Sequence, residues 1–148
     1  MAARPGRGDI LIGTMAADDL ERQLRTALAG ARSDVVAAYL FGSQSRGTAR
    51  PDSDVDVAIL MRGDPPSTLD GMGLDILADL ELALHRRVDL VVLNHAPPDL
   101  VHRVLRDKRI VLDRDRSARI QFEVRARNEY FDLLPFLRRY RRQEARAR

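Results

Sequence analysis

The chain contains no cysteine, which excludes disulfide bridges, thiolate zinc sites and cysteine nucleophiles. It also has no run approaching the roughly 20 apolar residues of a membrane-spanning helix. Arg4 and Arg7 precede Ile10-Leu11-Ile12 near the N-terminus, but that apolar stretch is too short for the core of a secretory signal. These absences fit a cytoplasmic address and argue against a membrane partner. Lysine is almost missing: Lys108 is the only one, so arginine carries nearly all the basic charge. The three histidines, His85, His95 and His102, show no metal-ligand spacing and read as ordinary surface or capping residues. Aromatic residues are few, and most of them lie beyond residue 120: Phe122, Tyr130, Phe131, Phe136 and Tyr140.

At 148 residues the chain is long enough for one domain with a real core. An apolar fraction of 45% with charges of both signs is that of a globular protein, not a disordered one. The net charge of +3 is unevenly spread. Residues 1–112 hold 14 basic and 16 acidic side chains, whereas residues 113–148 hold 11 arginines against 6 acids. A basic tail can mark a nucleic-acid site, but this one lacks interleaved stacking aromatics and reads as a solvated helix. That argues against nucleic acid as a direct partner. The aromatic residues around Pro135 suit a protein-facing surface rimmed by arginine, while Phe122 is expected to pack on the sheet.

Periodicity predicts the elements. Leu20, Leu24 and Leu28 mark an amphipathic helix over 18–29, ended by Gly30. Strands are expected at 35–41, 54–61, 88–93 and 110–112. A helix is expected over 69–84 from Leu69, Leu74, Leu77, Leu80 and Leu84, and another after Pro97-Pro98 to about Arg106. From about Arg116 a long helical pattern is expected to be interrupted at Pro135. This order does not alternate strictly, so the expected fold class is α+β, a two-layer arrangement with a mixed, mainly antiparallel sheet and helices on one side. The strands at 35–41 and 54–61 should be antiparallel neighbours, since a loop without helical pattern joins them.

The chemistry is concentrated between Phe41 and Val57, in F-G-S-Q-S-R-G-T-A-R-P-D-S-D-V-D-V. Gly42-Ser43 closes one strand and Asp54-Val55-Asp56 opens the next. Alternation sends Asp54 and Asp56 to one face while Val55, Val57 and Ile59 fill the other. Two carboxylates held side by side repel unless a cation lies between them, so the pair suits a hard metal ion. Asp89 sits in the apolar run Val88-Asp89-Leu90-Val91-Val92, where a carboxylate is costly unless paired or metal-bound. If that strand neighbours 54–61, the three carboxylates converge. Gly42 allows close backbone approach, Ser43 offers hydroxyl and N–H donors to phosphate, and Arg46 or Arg50 would neutralise a leaving group.

Gly42-Ser43-x-x-Arg46-Gly47 followed by Ser53-Asp54-x-Asp56 resembles the signature of the DNA polymerase beta-like nucleotidyltransferase superfamily. Chain length and Val88-Asp89-Leu90 followed by Leu93-Asn94-x-Ala96-Pro97 resemble its minimal nucleotidyltransferase (MNT) branch. The resemblance spans residues 18–113. It implies a mixed sheet flanked by helices and transfer of AMP from ATP, a nucleoside triphosphate, to a hydroxyl, with Mg²⁺, two ions expected. Asp54, Asp56 and Asp89 would be the catalytic and metal-binding residues. Gly42, Ser43, Arg46 and Ser53 would contact the nucleotide. The implied division is a loose leader at 1–15, with Met15 as an alternative start, a nucleotidyltransferase domain at 16–113, and a helical extension at 114–148 that offers a partner surface. By resemblance to antitoxins of HEPN/MNT pairs, the acceptor would be a tyrosine of a cognate HEPN ribonuclease toxin. A small molecule or RNA end as acceptor, and an antitoxin acting by binding alone, are the alternatives.

Overall fold

The computed structural model describes residues 7–47, 50, 52–69 and 71–147, with side chains from residue 17 onward. Four strands, β1 (Val35–Phe41), β2 (Val55–Met61), β3 (Val88–Val92) and β4 (Arg109–Asp113), form one sheet in the order β3-β2-β1-β4. β1 pairs antiparallel with both β2 and β4, as expected for the first of these, and β2 pairs parallel with β3. A parallel neighbour needs a crossover, which the helix α3 (Leu74–Leu84) supplies.

Helices cover both faces of the sheet, not one as the sequence suggested. On the first face, Leu20, Leu24 and Leu28 of α1 (Arg7–Ala29) and Ile76, Leu80 and Leu84 of α3 pack on Val35, Leu40, Val55, Val57 and Ile59. On the second, Val101 and Val104 of α4 (Pro98–Asp107) and Ala126 of α5 (Arg116–Arg146) pack on Val36, Tyr39, Phe41, Ala58 and Leu60. The physical reason lies in β1: all seven residues of its unbroken apolar run are buried, so both sides of the strand need cover.

Element ends differ in instructive ways. α1 begins at Arg7, so residues 7–15, expected in a loose leader, are helical, and residues 1–6 lie outside the described residues. Once nucleated, a helix extends at one hydrogen bond per residue, and no proline intervenes between Pro5 and Pro51. α3 starts five residues later than predicted, because Gly73, the residue before it, adopts a left-handed φ of 74° that stops the helix from extending back through it. Leu69 and Leu74 are consequently exposed, and Ile76 joins the core in their place. Between the end of β1 and residue 45, where a loop was expected from residue 44, the chain makes one helical turn, α2 (Gly42–Ser45).

α5 continues through Pro135 instead of breaking there. The proline deprives the carbonyl of Phe131 of its partner, but both residues are exposed, so water satisfies it. The first part of α5 is anchored by a charged network. Asp115 caps it, accepting from the Ala118 N–H at 3.0 Å. Buried Arg119 bonds Asp113 at 3.0 Å and Glu123 at 3.1 Å. Glu123 also accepts from the Tyr39 hydroxyl at 3.1 Å and pairs with Lys108 at 2.7 Å. Burial, and then the Glu123 carboxylate, push the Tyr39 hydroxyl far above its ordinary range. Beyond Ala126 the helix buries little: Phe131, Leu133, Phe136 and Tyr140 are exposed.

Candidate active site

Three strands deliver the site residues to one end of the sheet. Phe41, the last residue of β1, pairs with Asp56 on β2, and Asp56 pairs in parallel register with Asp89 on β3. Adjacent strands lie about 4.8 Å apart, so two in-register carboxylates are direct neighbours on the same face. That face is the one covered by α4 and α5, since Val55, Val57 and Ile59 occupy the opposite core as alternation requires. A cleft of about 590 Å³ opens there, lined by Phe41, Gly42, Ser43, Arg46, Asp56, Asp89 and Val91, with Leu100, Arg103 and Asp107 from α4. That volume suits a ligand of nucleotide size.

Gly42 has no substitute at its position. Its φ is +70°, and a Cβ placed on it would lie 2.2 Å from Asp56 Oδ2 and 3.1 Å from its Cγ. The glycine is therefore needed both for its backbone conformation and for the space the Asp56 carboxylate occupies. The turn that follows is stapled to the end of α4: the Ser45 hydroxyl donates to the Asp107 carbonyl, and Arg46 pairs with the Asp107 carboxylate at 3.6 Å.

Asp56 is half-buried, and its carboxyl is pushed above the usual range, first by burial and then by the charges of Asp89 and Asp54. Arg46 and Arg103 act in the opposite sense. Asp54 lies one residue ahead of β2 and is exposed. Among the described residues, no group of three or more His, Cys, Asp or Glu side chains is arranged to hold a metal ion. The donor chemistry nonetheless fits a hard divalent cation: two adjacent carboxylates, one of them carrying an electrostatic penalty that a cation would remove. Ser53 does not line the cleft. Its hydroxyl accepts from the Arg50 N–H at 3.0 Å and its carbonyl from Arg86 at 2.6 Å, which shapes the turn into β2. The sequence reading missed Arg103, Leu100 and Asp107. Their i, i+3, i+7 spacing marks one face of α4, and the available signal was that Val101 and Val104 already claimed the core-facing side.

Residues 23–117, well over half the chain, match the family described as polymerase beta, nucleotidyltransferase. The chain belongs to the polymerase beta nucleotidyltransferase family. This nucleotidyltransferase also shares its fold with solved toxin–antitoxin structures. One is a toxin–antitoxin crystal structure with AMP-PNP, at 24% identity and TM-score 0.72, covering 84% of this chain and 98% of that one. Another is a MntA–HepT complex, at 20% identity and TM-score 0.68, covering 86% and 98%. A third is the tri-AMPylated Shewanella oneidensis HEPN toxin in complex with MNT antitoxin, at 21% identity and TM-score 0.68, covering 87% and 98%. Among curated proteins, none matches the nucleotidyltransferase significantly. No helix among its described residues is long and apolar enough to cross a membrane.

Proposed function

We propose that the protein transfers AMP from ATP to a tyrosine hydroxyl of a cognate HEPN ribonuclease toxin in the cytoplasm, acting as an antitoxin. The observation that carries this reading is the in-register pair of Asp56 and Asp89 beside Gly42 in a cleft of nucleotide size. Family membership supports nucleotidyl transfer. The fold shared with a structure containing AMP-PNP and with one whose HEPN toxin is AMPylated supports the donor and the acceptor.

In this reading Gly42 and Ser43 receive the phosphates at the end of β1. Asp56 and Asp89 would hold Mg²⁺, with Asp54, whose charge also reaches Asp56, adding a carboxylate beside them; the ion, when bound, would offset phosphate charge and polarise the reacting phosphorus centre. The acceptor hydroxyl oxygen bonds to the α-phosphorus as the bond from that phosphorus to the bridging oxygen breaks. Pyrophosphate leaves with that oxygen, and the hydroxyl proton passes to Asp89. α4 and the α2 turn wall the cleft beside the two carboxylates. The domain to residue 113 carries this chemistry. The outer part of α5, with Phe131, Leu133, Phe136 and Tyr140 exposed among arginines, is the surface that receives the toxin.

The test is incubation with labelled ATP, Mg²⁺ and the product of the neighbouring gene. Label on a partner tyrosine, lost in Asp54→Ala/Asp56→Ala, is the expected result. Partner inhibition that survives the double substitution would favour neutralisation by binding. Label on RNA or a small metabolite alone would favour a different acceptor.

A further inference from the structure

α4 turns one face to the cleft, carrying Leu100, Arg103 and Asp107, while Val101 and Val104 fix the helix on the sheet. Of the two arginines in the cleft, Arg46 is already engaged by Asp107 at 3.6 Å. Arg103 is different. Among the described residues it makes no ion pair and no side-chain hydrogen bond, although it shares the cleft with Asp56 and Asp89. A guanidinium beside two carboxylates that pairs with neither leaves room for ligand oxygens between them. It is borne on the middle of a ten-residue helix seated in the core, so its anchor point is rigid, unlike that of a loop arginine.

A nucleoside triphosphate brings negative charge that a divalent cation between Asp56 and Asp89 cannot offset, because the two carboxylates already balance much of that cation. The distal phosphates need a donor of their own, and an arginine matches two phosphate oxygens at once. We propose that Arg103 binds the β- and γ-phosphates of the nucleoside triphosphate and stays with the pyrophosphate as it departs. This rests on the nucleotidyl-transfer reading above. The charge on the pyrophosphate rises as the α–β bond breaks, so the contact strengthens along the reaction. Arg46 remains a structural tie between the α2 turn and α4.

Calorimetric titration of a non-hydrolysable ATP analogue and of AMP, both with Mg²⁺, tests this in wild type, Arg103→Ala and Arg103→Lys. Arg103→Ala is expected to weaken the analogue about 10- to 100-fold, the range of a lost charge-assisted hydrogen bond pair. AMP, which lacks the distal phosphates, should be held about equally by both proteins, and Arg103→Lys should recover part of the loss. Arg103 is exposed and pairs with no side chain among the described residues, so all three proteins should melt cooperatively, with Arg103→Ala lower by no more than the small loss of its charge beside Asp56. Equal analogue affinity in wild type and Arg103→Ala overturns the proposal, as does an equal loss for AMP and the analogue. Wild-type protein that is folded yet binds neither nucleotide overturns the transfer reading itself, and this proposal with it.

Discussion

Gly42→Ala separates backbone strain from damage to the carboxylate. The substitution has two costs. At φ +70° any L-residue other than glycine is strained by about 1–2 kcal/mol, partly offset by the lower entropy of the unfolded chain. The new Cβ also falls 2.2 Å from Asp56 Oδ2, where real Cβ contacts do not come under 3.0 Å. The atoms it meets all belong to the Asp56 side chain, so the carboxylate yields and the fold survives. Melting should drop by roughly 3–6 °C for a net loss of about 1 kcal/mol. The carboxylate, however, must retreat by about 1 Å, a displacement on the scale that costs on the order of 100-fold in rate.

Gly63→Ala is the matched control. Gly63 has the same φ of +70°, and nothing lies within 4 Å of its added Cβ. It sits past the other end of β2 and should show the same fall in melting temperature with transfer intact. The assay is the initial rate of label transfer from ATP to the partner, paired with scanning calorimetry on the same preparations. Gly42→Ala retaining more than about one-tenth of the wild-type rate would refute the claim that the glycine makes room for Asp56.

Asp89→Asn should raise the melting temperature of cation-free protein and abolish the increase expected from Mg²⁺ in wild type, as checked by melts in EDTA and in MgCl₂. It removes the largest charge acting on Asp56, whose raised carboxyl pKa means that the fold loses stability as pH rises through the folded value from its ordinary 3.8. Glu123 behaves oppositely. Burial raises its carboxyl, but hydrogen bonds from Lys108, Arg119 and Tyr39 outweigh this and leave it below its ordinary 4.5. The unfolded chain therefore binds the proton first, so this stability is present above 4.5 and lost as pH falls through the folded value. Urea melts of Glu123→Gln across pH 3–6 should show lower stability at the upper end and a flatter acid limb, about one proton's worth of slope having gone. Arg114 donates to the carbonyls of Leu28 and Ala29 at the end of α1 and of Ala31, Arg32 and Val35 beyond it. Arg114→Ala should cost about 1–2 kcal/mol in urea melts while the rate of AMP transfer per folded molecule is kept.

The strand-borne part of the site was legible because period-2 alternation is local: the spacing of Val55, Asp56 and Val57 assigns faces without knowledge of the fold, whereas Asp54 falls just ahead of β2. The pairing of Asp89 with Asp56 required one non-local assumption, that β3 lies beside β2, and the register bears it out. Arg103 was illegible for the complementary reason. A helix face can be sorted into core and solvent from its sequence, but which solvent-side residues overlook a cleft depends on where the helix is seated. Ser53 is a different case: its place in the motif suggested a ligand contact, and in the structure its bonds to Arg50 and Arg86 build the turn into β2. The second helical layer had a readable signal in the unbroken run Val35–Phe41, which only a strand buried on both faces sustains.

The mixed topology is what assembles the centre. β1 runs into the site and β2 runs out of it, so an antiparallel pair brings Gly42 against Asp56. Had β3 returned antiparallel to β2, its second residue would lie at the far end of the sheet. The crossover through α3 restores the direction, and Asp89 arrives level with Asp56. That juxtaposition works against folding, since it adds charge repulsion to the burial that already disfavours ionised Asp56. A sheet optimised for stability alone would not place two carboxylates opposite each other in adjacent strands. Their retention in register, beside a glycine whose missing Cβ keeps the space open, is intelligible when the charge is meant to be balanced by what enters the cleft.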